Sequence, residues 1–83
     1  MEKRLGFVGI IVESRDKCAQ QVNSILSDCG ELIIARTGVP YRKKQCCVIT
    51  LVIDATTDEI GLLTGKLGAV PGVTVKSALS KGK

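Results

Sequence analysis

One strand–helix–strand pattern is written twice in this chain, and that repetition restricts the fold more than any single residue. An apolar strand over residues 5–12 leads into a helix over 14–29 and a second strand over 32–39. The second copy has a strand over 47–53, a helix beginning near Thr57 and a last strand over 73–79. Two βαβ halves in so short a chain predict an α+β fold, a four-stranded antiparallel sheet with both helices on one face. Strands one and three are then central and strands two and four lie at the edges, open to pairing with another chain. The second face of the sheet is left bare, and function is sought there.

Local signals support this division. Val8, Ile10 and Val12 alternate with Leu5, Phe7 and Ile11 in strand one, so both of its sides are expected to be covered. Gly6 and Gly9 interrupt that strand, which suggests a bulge or the close approach of another backbone. Ser14 is a natural N-cap for helix one. Cys18, Val22, Ile25, Leu26 and Cys29 share one face of it, and Gly30 is read as its left-handed stop. Pro40 closes strand two, and a polar, basic loop covers residues 41–45. Strand three turns Cys47, Ile49, Leu51 and Ile53 one way and Cys46, Val48, Thr50 and Val52 the other. Thr56 and Glu59 form a capping box for helix two, whose apolar face is Ile60, Leu63 and Leu67. Gly61, Gly65 and Gly68 cost roughly 1 kcal/mol each there against alanine, so a backbone of the sheet or of another subunit is expected close by. Pro71-Gly72 turns the chain into strand four.

Residues 1–83 are expected to form one domain, near the size at which an oligomer contact becomes a useful source of stability. The four cysteines lack the spacing of a disulfide scaffold. The apolar run after Lys3 and Arg4 is too short for a leader, and Glu13, Ser14 and Arg15 follow where small residues would be needed. A soluble, cytoplasmic protein with reduced thiols, no cofactor and no membrane partner is expected.

Catalysis finds little material. The chain has no histidine, so a Ser/His/Asp or Cys/His apparatus is excluded within it. Glu13, Asp16, Asp54, Asp58 and Glu59 fall at strand ends and helix starts, where carboxylates cap. Gly61-x-x-x-Gly65-Lys66 superficially resembles a phosphate loop but is one residue short and is followed by Leu67 rather than Ser or Thr. Cys46 and Cys47 point to opposite faces of a strand, which disfavours a bond between them. Cys46 at the open face is the weak candidate for a redox or metal role. The net charge of +4 draws on Arg42, Lys43 and Lys44 and on Lys81 and Lys83. A nucleic-acid partner through those residues is the alternative to a solvated loop and tail. Phe7 is the one aromatic on the central strands, too few for base stacking. The aliphatic open face, with Phe7, Ile11, Val48, Thr50 and Val52, is the expected oligomer interface, sheet against sheet or edge to edge.

The opening Met1-Glu2-Lys3-Arg4, Val12-Glu13-x-Arg15 leading to Gln21-Val22-Asn23, and Arg36-x-Gly38-x-Pro40 carry a family resemblance. Most specific is Ile60-Gly61-x-Leu63-x-Gly65-Lys66-Leu67-Gly68 running to Pro71-Gly72-Val73-x-Val75-Lys76. With these motifs the chain resembles the iron-only hydrogenase system regulators, whose fold is an ACT-like, ferredoxin-like βαββαβ sandwich related in shape to the C-terminal domain of nickel-responsive regulators. The resemblance implies a regulatory or sensor module rather than an enzyme. It implies a homo-oligomer, dimer or tetramer, that binds a small-molecule effector or a partner regulator protein. The nickel sensors use histidines, which this chain lacks. Amino-acid-binding ACT domains carry an Asp-x-x-Gly-like turn where this chain reads Glu13-Ser14-Arg15-Asp16. A ligand site is expected in grooves between subunits near that turn. Glu13, Ser14 and Arg15 come first, and Gly65 and Lys66 are secondary candidates. Arg15 can hold an anion by bidentate contact, and the same residues serve equally to cap and solvate.

Overall fold

A computed structural model describes residues 2–13 and 16–81, without the side chains of residues 16–18. Its order is β1 (Arg4–Glu13), α1 (Asp16–Asp28), β2 (Ile33–Tyr41), β3 (Cys46–Ala55), α2 (Thr57–Gly68) and β4 (Val73–Leu79). The strands form one sheet in the order β2-β3-β1-β4, with every neighbouring pair antiparallel. The doubled βαβ pattern therefore folds as expected, with β1 and β3 in the middle.

Alternation decides which side chains face the helices. Val8, Ile10 and Val12 of β1 and Ile49, Leu51, Ile53 and Ala55 of β3 are buried. Val22 and Leu26 of α1, and Ile60, Leu63 and Leu67 of α2, close over them in one cluster. Fully burying such an aliphatic side chain contributes roughly 1.5–3 kcal/mol, so this cluster supplies most of the drive to fold. The opposite side of β1 stays open within the chain: Leu5, Phe7 and Ile11 are all exposed. Strand one is thus covered on one side, not two, until something docks on it.

Four local expectations are revised. β2 does not stop at Pro40 but runs on to Tyr41, with Pro40 opposite Cys47. Proline is tolerated there because β2 is an edge strand. The β2–β3 connection is then a 3₁₀ turn over Arg42–Lys44 closed by Gln45 at φ 51°. Gly30 is not a left-handed stop: α1 ends through Cys29 at φ −107° and ψ 20°, and a 3₁₀ turn over Gly30–Leu32 follows. The left-handed glycine is Gly72, at φ 83°, in a turn where Val73 N–H donates to the Val70 carbonyl at 3.2 Å. Pro71 before it pre-sets its own φ, which makes this the type II arrangement that needs glycine. Finally, no part of the sheet crowds Gly61 or Gly65. An added Cβ would meet nothing within 4 Å at either, and Gly68 would meet only Val75 Cγ1, at 3.6 Å.

The close approach lies in β1 instead. A Cβ on Gly6 would run into the Ala78 carbonyl oxygen and stand 2.6 Å from Leu79 Cδ2. At Gly9 the nearest such atom, the Lys76 carbonyl oxygen, is 4.0 Å away. Ser14, the expected cap of α1, lies outside the described residues. The cap of α2 is formed as read: Thr56 N–H donates to Glu59 Oε1 at 2.9 Å, and Glu59 N–H donates to Thr56 Oγ1 at 3.1 Å. The Thr56 backbone donor holds the Glu59 carboxyl below its ordinary value. Desolvation opposes this, and Lys3 and the Thr56 hydroxyl add to it.

Urea unfolding should show Thr56→Ala destabilising by about 1 kcal/mol, as cap loss does. A depressed folded pKa stabilises above the unfolded value of about 4.3 and is lost as pH falls through the folded value. Glu59→Gln should therefore lower stability near neutrality, flatten its fall as pH drops through the acid range, and match the wild type once the carboxyl is protonated. Gly6→Ala should cost about 1–3 kcal/mol by overpacking β4. Gly61→Ala and Gly65→Ala should each stabilise by up to about 1 kcal/mol. A loss at either would reveal a backbone from another subunit against α2.

Candidate functional site: an open sheet face and a cavity behind it

The pairing register assembles the open face. Phe7 lies opposite Val52 on one side and Ala78 on the other, and Ile11 lies opposite Val48 and Thr74. β2 adds Thr37, Val39 and Tyr41, opposite Thr50, Val48 and Cys46. Phe7 is 57% exposed, Val39 52% and Val52 40%. All five expected interface residues, Phe7, Ile11, Val48, Thr50 and Val52, stand on this face and are exposed. The edge-strand share is not legible in the sequence, where Pro40 reads as the end of strand two and Tyr41 as part of the loop. Lys76, opposite Gly9, brings a charge to the β4 edge of the face; Glu13 and Asp54 lie near its ends. Near Leu5, Phe7, Val52 and Ala78 the face dips into a shallow, open apolar depression.

The other side of β2 holds a different feature. Its inward positions are Arg36, Gly38 and Pro40, opposite Leu51, Ile49 and Cys47. None of the three supplies the branched aliphatic bulk that β1 and β3 offer to the helices. A cavity of about 170 Å³ results between α1 and the β2 side of the sheet. Val12, Ala19, Val22 and Ile49 make its apolar walls, with Gly38 and Cys47 beside them. At its rim Arg36 Nη2 donates to Asn23 Oδ1 at 2.5 Å. The signal for this cavity was present in Arg36-x-Gly38-x-Pro40, read as a motif but not as one face of a strand.

The residues expected to bind a ligand are spread out. Glu13 ends β1, and its N–H donates to the Gly72 carbonyl at 3.0 Å, which ties that turn to the start of β4. Ser14 and Arg15 lie outside the described residues. Gly65 and Lys66 are exposed on α2, with Lys66 in its last turn, where a cation favours the helix dipole. Neither Glu13, Gly65 nor Lys66 lines the cavity or the depression. Cys46 is half-buried on the open-face side, and Cys47 is half-buried on the cavity side. Among the described residues no group of three or more His, Cys, Asp or Glu is placed to hold a metal ion. Arg42, Lys43 and Lys44 are exposed in the hairpin turn. No helix among the described residues is long and apolar enough to cross a membrane.

Accessible Cys47 should react with a small thiol reagent, and filling the cavity by Gly38→Val should slow that reaction several-fold, as read by mass spectrometry of the modified peptide. An unchanged rate would show that the cavity is not the route to that thiol.

The model of the TM1266-like iron-only hydrogenase system regulator family matches residues 4–77. The structure of TM1266 from Thermotoga maritima is 42% identical, covers 96% of this chain and 100% of its own, and superposes with a TM-score of 0.94. The ACT domain of GTP pyrophosphokinase from Chlorobium tepidum is 27% identical over 92% of this chain and 99% of its own, with a TM-score of 0.72. The C-terminal domain of the MgtC protein from Mycobacterium tuberculosis, 16% identical, shares the fold at a TM-score of 0.73 over 95% of this chain and 89% of its own. No curated protein sequence matches the chain.

Proposed function

Because the chain belongs to the TM1266-like family of iron-only hydrogenase system regulators, we propose that it is a small, cytoplasmic regulatory module of such a system, and not an enzyme. It works as a homo-oligomer assembled across the open sheet face, and it answers a small effector or docks a partner regulator.

The observation that carries this reading is the open face itself. Phe7, Ile11, Val39, Val48 and Val52 are large apolar side chains left in water by a chain that has already built its core on the other side. Patches of that kind mark interaction sites. Four strands about 4.8 Å apart and up to ten residues long present roughly 500 Å² in projection. Accessible area exceeds projected area, so the face approaches the roughly 800 Å² per partner of a standard interface. A second copy offers the same apolar character and the same shape, which suits isologous pairing. Lys76 stays near β4, at one side of the patch, where its stem can lie along apolar surface with its ammonium in water.

Sedimentation tests the assembly. The wild-type chain should run as a dimer or larger, and Phe7→Glu or Val52→Lys should shift it to monomer. Both side chains are already exposed in the single chain, so folding stability should move by no more than about 0.5 kcal/mol. A wild-type chain that stays monomeric at high concentration overturns the assembly. In cells, deleting the chain should change hydrogenase levels, and wild type but not Phe7→Glu should restore them. Hydrogenase levels indifferent to the deletion overturn the regulatory role.

A further inference from the structure

We propose that the cavity between α1 and β2 binds a short, branched aliphatic monocarboxylate, with its carboxylate on the Arg36 guanidinium. The proposal rests on the reading of the chain as an effector-sensing module and names the site and the ligand class.

Three features of the inward face of β2 point to this. Arg36, Gly38 and Pro40 occupy positions where a sheet under a helix ordinarily carries valine or isoleucine. Gly38 leaves open space: an added Cβ would meet no atom within 4 Å, and its backbone is not left-handed. Arg36 is held at the rim by one donor to Asn23 Oδ1. A guanidinium carries five N–H donors in a planar fork, so donors remain for a carboxylate in the bidentate geometry that arginine favours. An incoming carboxylate can also replace Asn23 Oδ1, exchanging a neutral acceptor for a charged one.

The walls set the rest of the molecule. Val12, Ala19, Val22 and Ile49 offer an aliphatic lining and call for an apolar body. A volume of about 170 Å³ suits a body of four or five carbons. Sites for larger ligands such as nucleotides run to roughly 300 Å³ and more. Among the described residues the lining supplies a cation but no carboxylate to receive an ammonium group. A monocarboxylate therefore fits better than a zwitterionic amino acid of the same shape. An inorganic phosphate would find one arginine and apolar walls, too few donors for its charge.

The test is an NMR titration of the isotope-labelled full chain with isovalerate, read at backbone amides, with isobutylamine and leucine as matched controls. Saturable shifts should appear at Ala19, Asn23, Gly38 and Cys47. Arg36→Gln should weaken isovalerate by at least about tenfold, the worth of a charge-assisted hydrogen bond. Gly38→Val, which fills the space, should abolish the shifts with the spectrum still that of a folded chain. Isobutylamine should not bind, and leucine should bind more weakly than isovalerate. No saturation with isovalerate, equal affinity in Arg36→Gln, or leucine binding as tightly as isovalerate overturns the proposal. Sedimentation of Phe7→Glu separates it from the reading it rests on. Pocket shifts that persist in a monomeric variant keep the site whether or not the assembly stands. A wild-type assembly that shows no pocket shifts loses the site and keeps the assembly.

Discussion

The structure depends on the register between β1 and β3, which runs unbroken from Arg4 opposite Ala55 to Glu13 opposite Cys46. In most half-buried sheets the hydrophobic pattern alone protects such a register, because a slip of one residue would bury polar groups. Here both alternating sets of β1 are apolar, and hydrophobicity protects it less. Contacts on its other flank, with β4 and the residues beside it, help to hold β1 in place. Gly6 admits the Ala78 carbonyl and Leu79 at a distance no side chain would allow. Two backbone bonds bracket the same strand, from Ser80 N–H to the Leu5 carbonyl at 2.7 Å and from Glu13 N–H to the Gly72 carbonyl. A slip would also turn Thr50 inward. The register then determines everything that follows, since it sends Val8 and Ile10 to the helices and leaves Phe7 and Ile11 in water.

Most of the architecture was legible because it is carried by period. Alternation in β1 and β3, helical spacing in Val22 and Leu26, and the Thr56–Glu59 box each have a strong local cause, and each appears as read. The errors fall where a local rule has two outcomes that only tertiary placement separates. Proline ends a central strand but can sit in an edge strand, and Pro40 does the second. Glycine after a helix can be left-handed or can simply enter a 3₁₀ turn, and Gly30 does the second. Glycines in a helix can mark a close neighbour or none, and within this chain Gly61 and Gly65 have none.

The functional surfaces were legible unevenly for the same reason. The open face followed from the central strands, whose parity is plain in the sequence. Its edges did not, because Pro40 reads as a stop and so puts Tyr41 in the loop rather than beside Cys46. The cavity was hidden more deeply. Arg36-x-Gly38-x-Pro40 reads as a family motif at the end of a strand until the register puts all three residues on the helix side of the sheet. Only then does the absence of aliphatic bulk in one row become a space with a cation at its rim. Cys46 and Cys47 report the same division in miniature, one thiol toward each surface.

Strand order has one more consequence. β1 bonds to β3 and β4, and β2 bonds to β3. Every ladder in the sheet therefore joins the first βαβ unit to the second, and no strand is bonded to a strand of its own unit. Neither half is a miniature that could persist alone, whatever its ancestry. The two interlock as the fingers of clasped hands do, so order must be gained or lost in a single cooperative step across long loops of chain.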